Sequence, residues 1–472
     1  MKLAQLPTKT LPKALPLRKL IGPSFIILGL GLGSGEVILW PYLASNYGMG
    51  IIWGAVLGLT FQFFMNMEIE RYALARGESI FVGFARKFKG VSYWFLFSTF
   101  APWIWPGIAA ASATLFAHVF GLPKDQIKFL AIAFLVAMGL ILSLGPVLYK
   151  TVERLQKVLI LVGVPSIFII SIFLASRSDW TAAAQGIVGS GDGYFLLPEG
   201  ISIASFLAAL AYAGAGGNLN LAQSFYVKEK GFGMGKYSGK ITSVLTGKKT
   251  TSSKPLLTGS KFAITKESKK DFKKWWRNVN IEHFIVFWLT GSITIVLLSL
   301  LAFTTAFGDP GNKSDISFVI RESTAIGKEL MPVLGTFFLI VTGSTLFGTQ
   351  LTVYDATSRI LTENVVLAAN GKIKDRSIPK VYYTVLWLMI LSGIGIFLAG
   401  FTQPLQLLFI AAILNAVAMF IHTGLTLWLN KTELPKAIGP SKFRTGAMST
   451  AFLFYGGFSI YVVITELQKL LK

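Results

Sequence analysis

Apolar runs of about 20 residues or more recur along almost the whole chain, which is the length the hydrocarbon core of a bilayer requires of a helix. Hydropathy places eleven of them, near residues 24–46, 50–70, 93–118, 128–147, 155–175, 201–227, 283–307, 332–361, 382–401, 405–429 and 447–467, numbered spans 1 to 11 in chain order. Only 14% of the 472 residues are charged, where a soluble chain carries about a quarter. A soluble enzyme is excluded. With no cysteine, so is a disulfide-stapled or thiolate-metal protein. Residues 1–20 are basic and punctuated by proline, and the apolar stretch after them is too long for a signal-peptide core, so it reads as a retained first span.

The net charge of +22 is a matter of topology. Assigning alternate loops to one side, beginning with the N-terminus, puts 36 of the 44 Lys and Arg residues on that side. Cytoplasmic loops carry the Lys/Arg excess. The expectation is a multi-pass protein of the cell membrane with a cytoplasmic N-terminus and an outside C-terminus. The basic face suits anionic lipid, and no nucleic acid is expected as a partner. Residues 229–280, polar and rich in Gly, Ser, Thr and Lys, read as a basic cytoplasmic loop between two halves of one transmembrane domain covering 1–472. Trp275 and Trp276, beside Lys273 and Lys274, suit the headgroup interface.

Two spans are interrupted by glycine at corresponding places. Span 1 contains Gly29-Leu-Gly-Leu-Gly-Ser-Gly35-Glu36, and span 6, the first of the second half, contains Tyr212-Ala-Gly-Ala-Gly-Gly-Asn218-Leu-Asn220. Unwound backbone at membrane depth survives only inside protein or along a water-filled cavity. Paired breaks of this kind point to the midplane site of a secondary transporter with inverted repeats. Close helix packing through small residues also uses glycine, but it does not account for the polar residues that follow each cluster.

Glu36 is the costliest of these, since a carboxylate near the middle of a span costs about 2.5–3.5 kcal/mol. If the helix restarts after Gly33-Ser34-Gly35, Glu36 sits in the first turn of the outer half, where the helix dipole favours an anion. Beside unwound carbonyls it forms the hard-oxygen environment that Mg²⁺ or Mn²⁺ accepts. A pair with a distant Arg or Lys, or a protonated Glu bonded to free backbone, is the structural alternative. Asn218, Asn220, Gln223 and Ser224 follow the second break and offer amide oxygens to a cation, or donors and acceptors to an organic solute. They serve equally as hydrogen-bond glue between helices. In span 8, Thr349 and Gln350 are polar, and Asp355 and Arg359, spaced i, i+4, are expected to pair with each other near the cytoplasmic end. Glu68, Glu70 and Arg71 close span 2 in the same zone as gate or anchor residues. His118, His283 and His422 lie on different spans without metal-type spacing and read as satisfied polar residues. The prolines of Pro102-Trp-Ile-Trp-Pro106 kink span 3. No P-loop, nucleophile elbow or paired-carboxylate pattern is present, so neither an enzyme nor a cofactor is expected.

These residues resemble the Nramp family of divalent-metal transporters, in the amino acid–polyamine–cation superfamily with its LeuT-like fold. Gly22-Pro23-Ser24-Phe25 is similar to the family's Gly-Pro-Gly-Phe at the first helix, and Asn218-Leu-Asn-Leu221 to the Asn-Leu-Tyr-Leu after its Met-Pro-His. Gly343-Ser-Thr-Leu-Phe-Gly-Thr-Gln350 resembles its Gly-Gln-Ser-Ser-Thr…Gly-Gln stretch. The departures fall on the chemistry. The family's Asp-Pro-Gly-Asn aligns with Gly33-Ser34-Gly35-Glu36, so the metal-binding Asp is Gly33 and the Asn is Glu36. Met-Pro-His aligns with Ala215-Gly216-Gly217, which removes the thioether and the imidazole. The binding Gln of span 10 corresponds to Asn415, and span 3 has no carboxylate for the usual proton pathway.

The resemblance implies an all-α integral membrane protein of eleven helices, a five-plus-five inverted repeat with helices 1 and 6 broken, working by alternating access. The expected substrate is a divalent cation held by Glu36, Gly33, Ser34, Ala213, Ala215, Gly217, Asn218, Asn220 and Asn415. Gln223, Thr349, Gln350, Asp355 and Arg359 are expected to gate or support that site. A carrier of a small organic solute such as an amino acid or amine, and a non-transporting receptor or scaffold, are the other readings.

Overall fold

The computed structural model describes residues 5–20, 22–144, 148–239, 257–313, 315–374 and 377–470; residues 240–256 of the basic loop lie outside it. Among the described residues, ten helices are long and apolar enough to cross a membrane: Pro23–Tyr47, Met49–Arg76, Val91–Val119, Lys124–Leu144, Lys157–Leu174, Lys266–Ala306, Pro332–Ala368, Ile378–Leu398, Pro404–Glu433 and Lys442–Thr465. They coincide with ten of the eleven predicted spans. The remaining one, 201–227, is not a single helix but the pieces Ile203–Ala211, Gly217–Ala222 and Gln223–Lys230. The chain is thus an all-α, multi-pass membrane protein. Its outer surface bears large apolar side chains such as Leu161, Phe173, Leu391 and Leu453, each more than half exposed, as a lipid-facing surface requires.

Loops that alternate in the sequence meet on two opposite faces. On one face, Lys9 N–H bonds Lys261 O, Ser260 N–H bonds Arg76 O, and Arg71 Nη1 bonds Ile438 O. On the other, Gly50 N–H bonds Asp192 Oδ2, Trp53 Nε1 bonds Leu196 O, Gly308 N–H bonds Ser45 O and Leu405 N–H bonds Asp315 Oδ1. Every loop of the first group was assigned to the basic side. The broken span 6 therefore passes from one face to the other, although no piece of it is long enough to do so alone.

Span 8 packs on both halves of span 3 and on span 9, span 10 on span 11, and span 7 on the second half of span 1, Trp40–Tyr47. Span 3 is interrupted where its prolines require, between Val91–Trp103 and Gly107–Val119, because proline lacks the N–H that continues a helix.

Part of the basic loop departs from expectation. The segment that reads as loop contains the helix Lys266–His283, started by a reciprocal cap between Thr265 and Ser268. Phe272, Trp275 and Val279 recur at helical spacing and are buried. The sparse apolar positions among many lysines hide this face from a hydropathy window. Its tryptophans meet protein, not headgroups alone: Trp275 Nε1 donates to Pro12 O (2.7 Å), and the Trp276 ring lies under both Arg71 (3.7 Å) and Arg444 (4.7 Å).

Candidate substrate site at the paired helix breaks

Span 1 is α-helical over Pro23–Gly31, passes through a turn at residues 32–34, resumes as a wider helical turn over Gly35–Leu39 and continues as Trp40–Tyr47. Span 6 stops at Ala211 and resumes at Gly217, with Gly216 and Gly217 at φ of 76° and 51°, a backbone region that side-chain-bearing residues seldom adopt. The two breaks lie against each other. A Cβ on Gly31 would stand 2.8 Å from the backbone of Gly214, and one on Gly35 would run into the Tyr212 carbonyl. The glycines are there so that two interrupted backbones can touch.

Breaking a helix frees backbone groups that must find partners in a membrane. Gln62 of span 2 supplies two, its Nε2 donating to Ala211 O (3.1 Å) while its Oε1 accepts from Gly216 N–H (3.2 Å). His422 of span 10 supplies another, with Nε2 3.0 Å from Gly217 O. A carbonyl cannot donate, so Nε2 carries the hydrogen. Thr349 Oγ1 donates to Gly29 O (2.9 Å) and fills the space beside Gly33. Neither Gln62 nor His422 was singled out as functional from the sequence. The signal for Gln62 was a lone amide within Phe61-Gln-Phe-Phe64, at the depth of the breaks.

The expected site residues are brought together in part. Asn415 Nδ2 donates to Tyr212 Oη (2.9 Å) beside Gly217, and Asn220 Nδ2 lies 3.4 Å from Gly217 O. Asn218 turns to span 3, donating to Ser98 Oγ (2.8 Å) and Thr99 Oγ1 (3.0 Å). Tyr212 stacks on Trp103 at 5.6 Å between ring centroids. Ala213, Ala215 and Gly217 form the non-helical stretch and its exit, all buried. Glu36 lies in the first turn after the span 1 break, fully buried, facing Gly291 of span 7, where a Cβ would stand 3.5 Å from Oε1. Neither of its carboxylate oxygens has a hydrogen-bond partner, and neither have Ser34 Oγ or the amide oxygens of Asn218, Asn220 and Asn415. The breaks are thus bordered by buried oxygens free to accept. No sulfur ligand is among them. Among the described residues, no three of His, Asp and Glu gather into a metal-holding group. Any cation here would rest on Glu36, neutral oxygens and backbone carbonyls.

The supporting residues form a separate network at the basic face. Arg359 Nε bonds Asp355 (2.9 Å), as their spacing predicts, and Arg359 Nη1 also bonds Glu229 Oε1 of span 6 (2.5 Å). Tyr382 Oη donates to Asp355 Oδ1 (2.8 Å). Gln223 Nε2 donates to Glu70 Oε2 (3.3 Å), and Gln350 is buried within span 8. Glu68 pairs with Arg71 (2.8 Å) and accepts from Asn430. Since Arg359 serves two buried carboxylates, Arg359→Ala is expected to cost about 3–5 kcal/mol, the penalty for stranding buried charge. It should appear as a lowered thermal unfolding midpoint in detergent, with Lys124→Ala on the exposed surface leaving the midpoint unchanged.

No known family matches the sequence, and no curated relative does. Solved structures do match. A variant of the manganese transporter of Eremococcus coleocola superposes with a TM-score of 0.68 at 11% identity, covering 98% of this chain and 90% of that one. The same transporter in complex with an aromatic bis-isothiourea compound gives 0.64 at 11% identity over the same shares. At that identity the likeness concerns architecture, and on architecture it is nearly complete: the chain has the fold of these transporter structures.

Proposed function

We propose that the protein is a secondary transporter, a divergent relative of the Nramp family, that carries a hard divalent cation by alternating access. The observation that carries this reading is the Glu36 carboxylate, buried without any hydrogen-bond partner in the first turn after a helix break that touches a second break. A carboxylate in that position is stable only when a proton or cation neutralises it. The surrounding orphan oxygens and the lack of sulfur favour Mg²⁺ or Mn²⁺ over softer metals. A manganese transporter as structural neighbour supports the same substrate class. All these groups are shut off from solvent, as expected of an occluded state between two openings. The basic face is proposed as cytoplasmic, which sets the N-terminus inside and the C-terminus outside.

A thermal-shift screen of divalent metals against amino acids and amines tests the substrate class. Stabilisation by Mg²⁺ or Mn²⁺ that Glu36→Gln removes supports the proposal, whereas stabilisation by an amine or amino acid alone moves it to an organic solute. Coupling follows from the same geometry. Span 3 offers no carboxylate, and position 217 holds glycine in place of the family's histidine. An imposed pH gradient alone is therefore expected not to drive uphill accumulation in proteoliposomes. Accumulation under that gradient, with a substrate-dependent change of internal pH, would overturn this expectation.

A further inference from the structure

The inner end of span 1 is held by groups the proposed site does not use. The helix Pro23–Gly31 begins after Gly22, which has no side chain to cap it. A carboxylate from 258 positions away stands at this helix end instead: Glu282 Oε2 accepts from Ser24 Oγ (2.5 Å), while its Oε1 is buried without a partner. A carboxylate at a helix N-terminus is stabilised by the helix dipole and by charge-assisted bonds. Ser24 Oγ also meets His283 Nδ1 at 2.8 Å. A hydroxyl has one hydrogen to give, and here it goes to Glu282, so His283 donates from Nδ1. Its Nε2, buried and without a partner, is then bare. The family that the sequence resembles has glycine where Ser24 stands, so this bond is made by a residue in which the chain departs from it.

We propose that Ser24, Glu282 and His283 form a proton-binding latch at the basic face, which holds Pro23–Gly31 closed while Glu282 is ionised and releases it when Glu282 takes up a proton. The half-helix can pivot at its other end, where residues 32–34 form a turn between the regular helix and the wider turn after it. Span 7 can respond because its backbone widens into a π-turn over Phe284–Leu289, directly after the latch. The proton goes to Glu282 and not to the imidazole. His283 is stacked on Phe287 (4.7 Å) and Phe63 (5.7 Å), and a second N–H would point into surroundings that offer it no acceptor. Arg444 of span 11 adds positive charge on its side. Around Glu282 the facing charges are Glu70 of span 2, which repels it, and Lys230 at the end of span 6 and Lys157 of span 5, which attract it. Protonation makes one O–H bond at the carboxylate, turns its charge-assisted bond from Ser24 into a neutral one roughly half as strong, and ends the attraction of the helix terminus. The proton returns to the solution it came from. Such a latch sets when the basic face opens without contributing energy to uphill transport, in keeping with the expected failure of a pH gradient to drive accumulation.

This inference rests on the alternating-access reading, but its test needs no substrate. The chain has no cysteine, so one placed at the buried Ile27 is labelled alone. Its rate of modification by a bulky maleimide in detergent, divided by that of Lys124→Cys to remove the thiol's own pH dependence, reads the opening of the half-helix. One proton can change that opening by up to about tenfold per pH unit. The normalised rate is expected to rise about tenfold as pH falls from about 8 to about 6. It should be fast at both ends with Glu282→Gln, and less pH-dependent with Ser24→Ala. A rate that ignores pH in the unsubstituted background, or a pH response that survives Glu282→Gln, overturns the latch. If Glu282→Gln does not fold, Ser24→Ala and His283→Gln decide it, since either should flatten the pH response. Absent flux in any transport assay would sink the proposed function and leave this result standing.

Discussion

Glu36→Gln is expected to reduce divalent-cation uptake by at least about 100-fold, because losing a buried charge–charge contact costs about 3 kcal/mol or more and each 1.4 kcal/mol is about tenfold in affinity. The substitution keeps size and shape and removes only the charge. In the metal-free protein both carboxyl oxygens are buried and unpartnered, so the group must take a proton or carry an uncompensated charge, and glutamine loses no bond that glutamate makes. The variant should therefore unfold at the same or a higher temperature than the parent when no metal is present. Loss of uptake with stability kept identifies Glu36 as a ligand. Loss of both would make it a structural residue, and uptake within twofold of the parent would remove it from the account.

Gly35→Ala is expected to be nearly as severe for a different reason. The added carbon would collide with the Tyr212 carbonyl, which belongs to backbone and cannot swing aside. The two breaks would have to separate, exposing free carbonyls and N–H groups in a region with no water to take them. Folded yield or the thermal midpoint should fall sharply. Gly457→Ala in span 11, where nothing stands within 4 Å of the added carbon, is the control. It is expected to be neutral or to stabilise by up to about 1 kcal/mol, the usual difference between the two residues inside a helix. Equal behaviour of the two variants would mean that the contact between the breaks carries no structural weight.

What could be read from the sequence follows the range of the interactions. Ten spans were legible because each is a local run whose length the bilayer dictates. The Asp355–Arg359 pair was legible because one helical turn brings the two together. The glycine clusters announced the breaks, since no apolar helix needs so many. The contacts that secure those breaks were not legible: Gln62 reaches Ala211 across 149 positions and His422 reaches Gly217 across 205. Such pairings depend on which spans become neighbours, and nothing near either residue in the chain records it. The link between Ser24 and Glu282 is of the same kind. The helix Lys266–His283 was missed for another reason, its apolar face being narrow and set among lysines that a window average reads as loop. Within the site, the oxygen donors were recognised as residue types, but their division into engaged nitrogens and free oxygens comes only from packing.

The most direct measurement of the central claim is uptake of Mg²⁺ and Mn²⁺ by sealed proteoliposomes containing the full chain, with amino acids and amines as competitors. Saturable uptake that depends on the protein, is blocked by excess unlabelled divalent cation and is indifferent to the organic solutes is the predicted result. Vesicles that admit no divalent cation, or that take up an amine or amino acid instead, would contradict it.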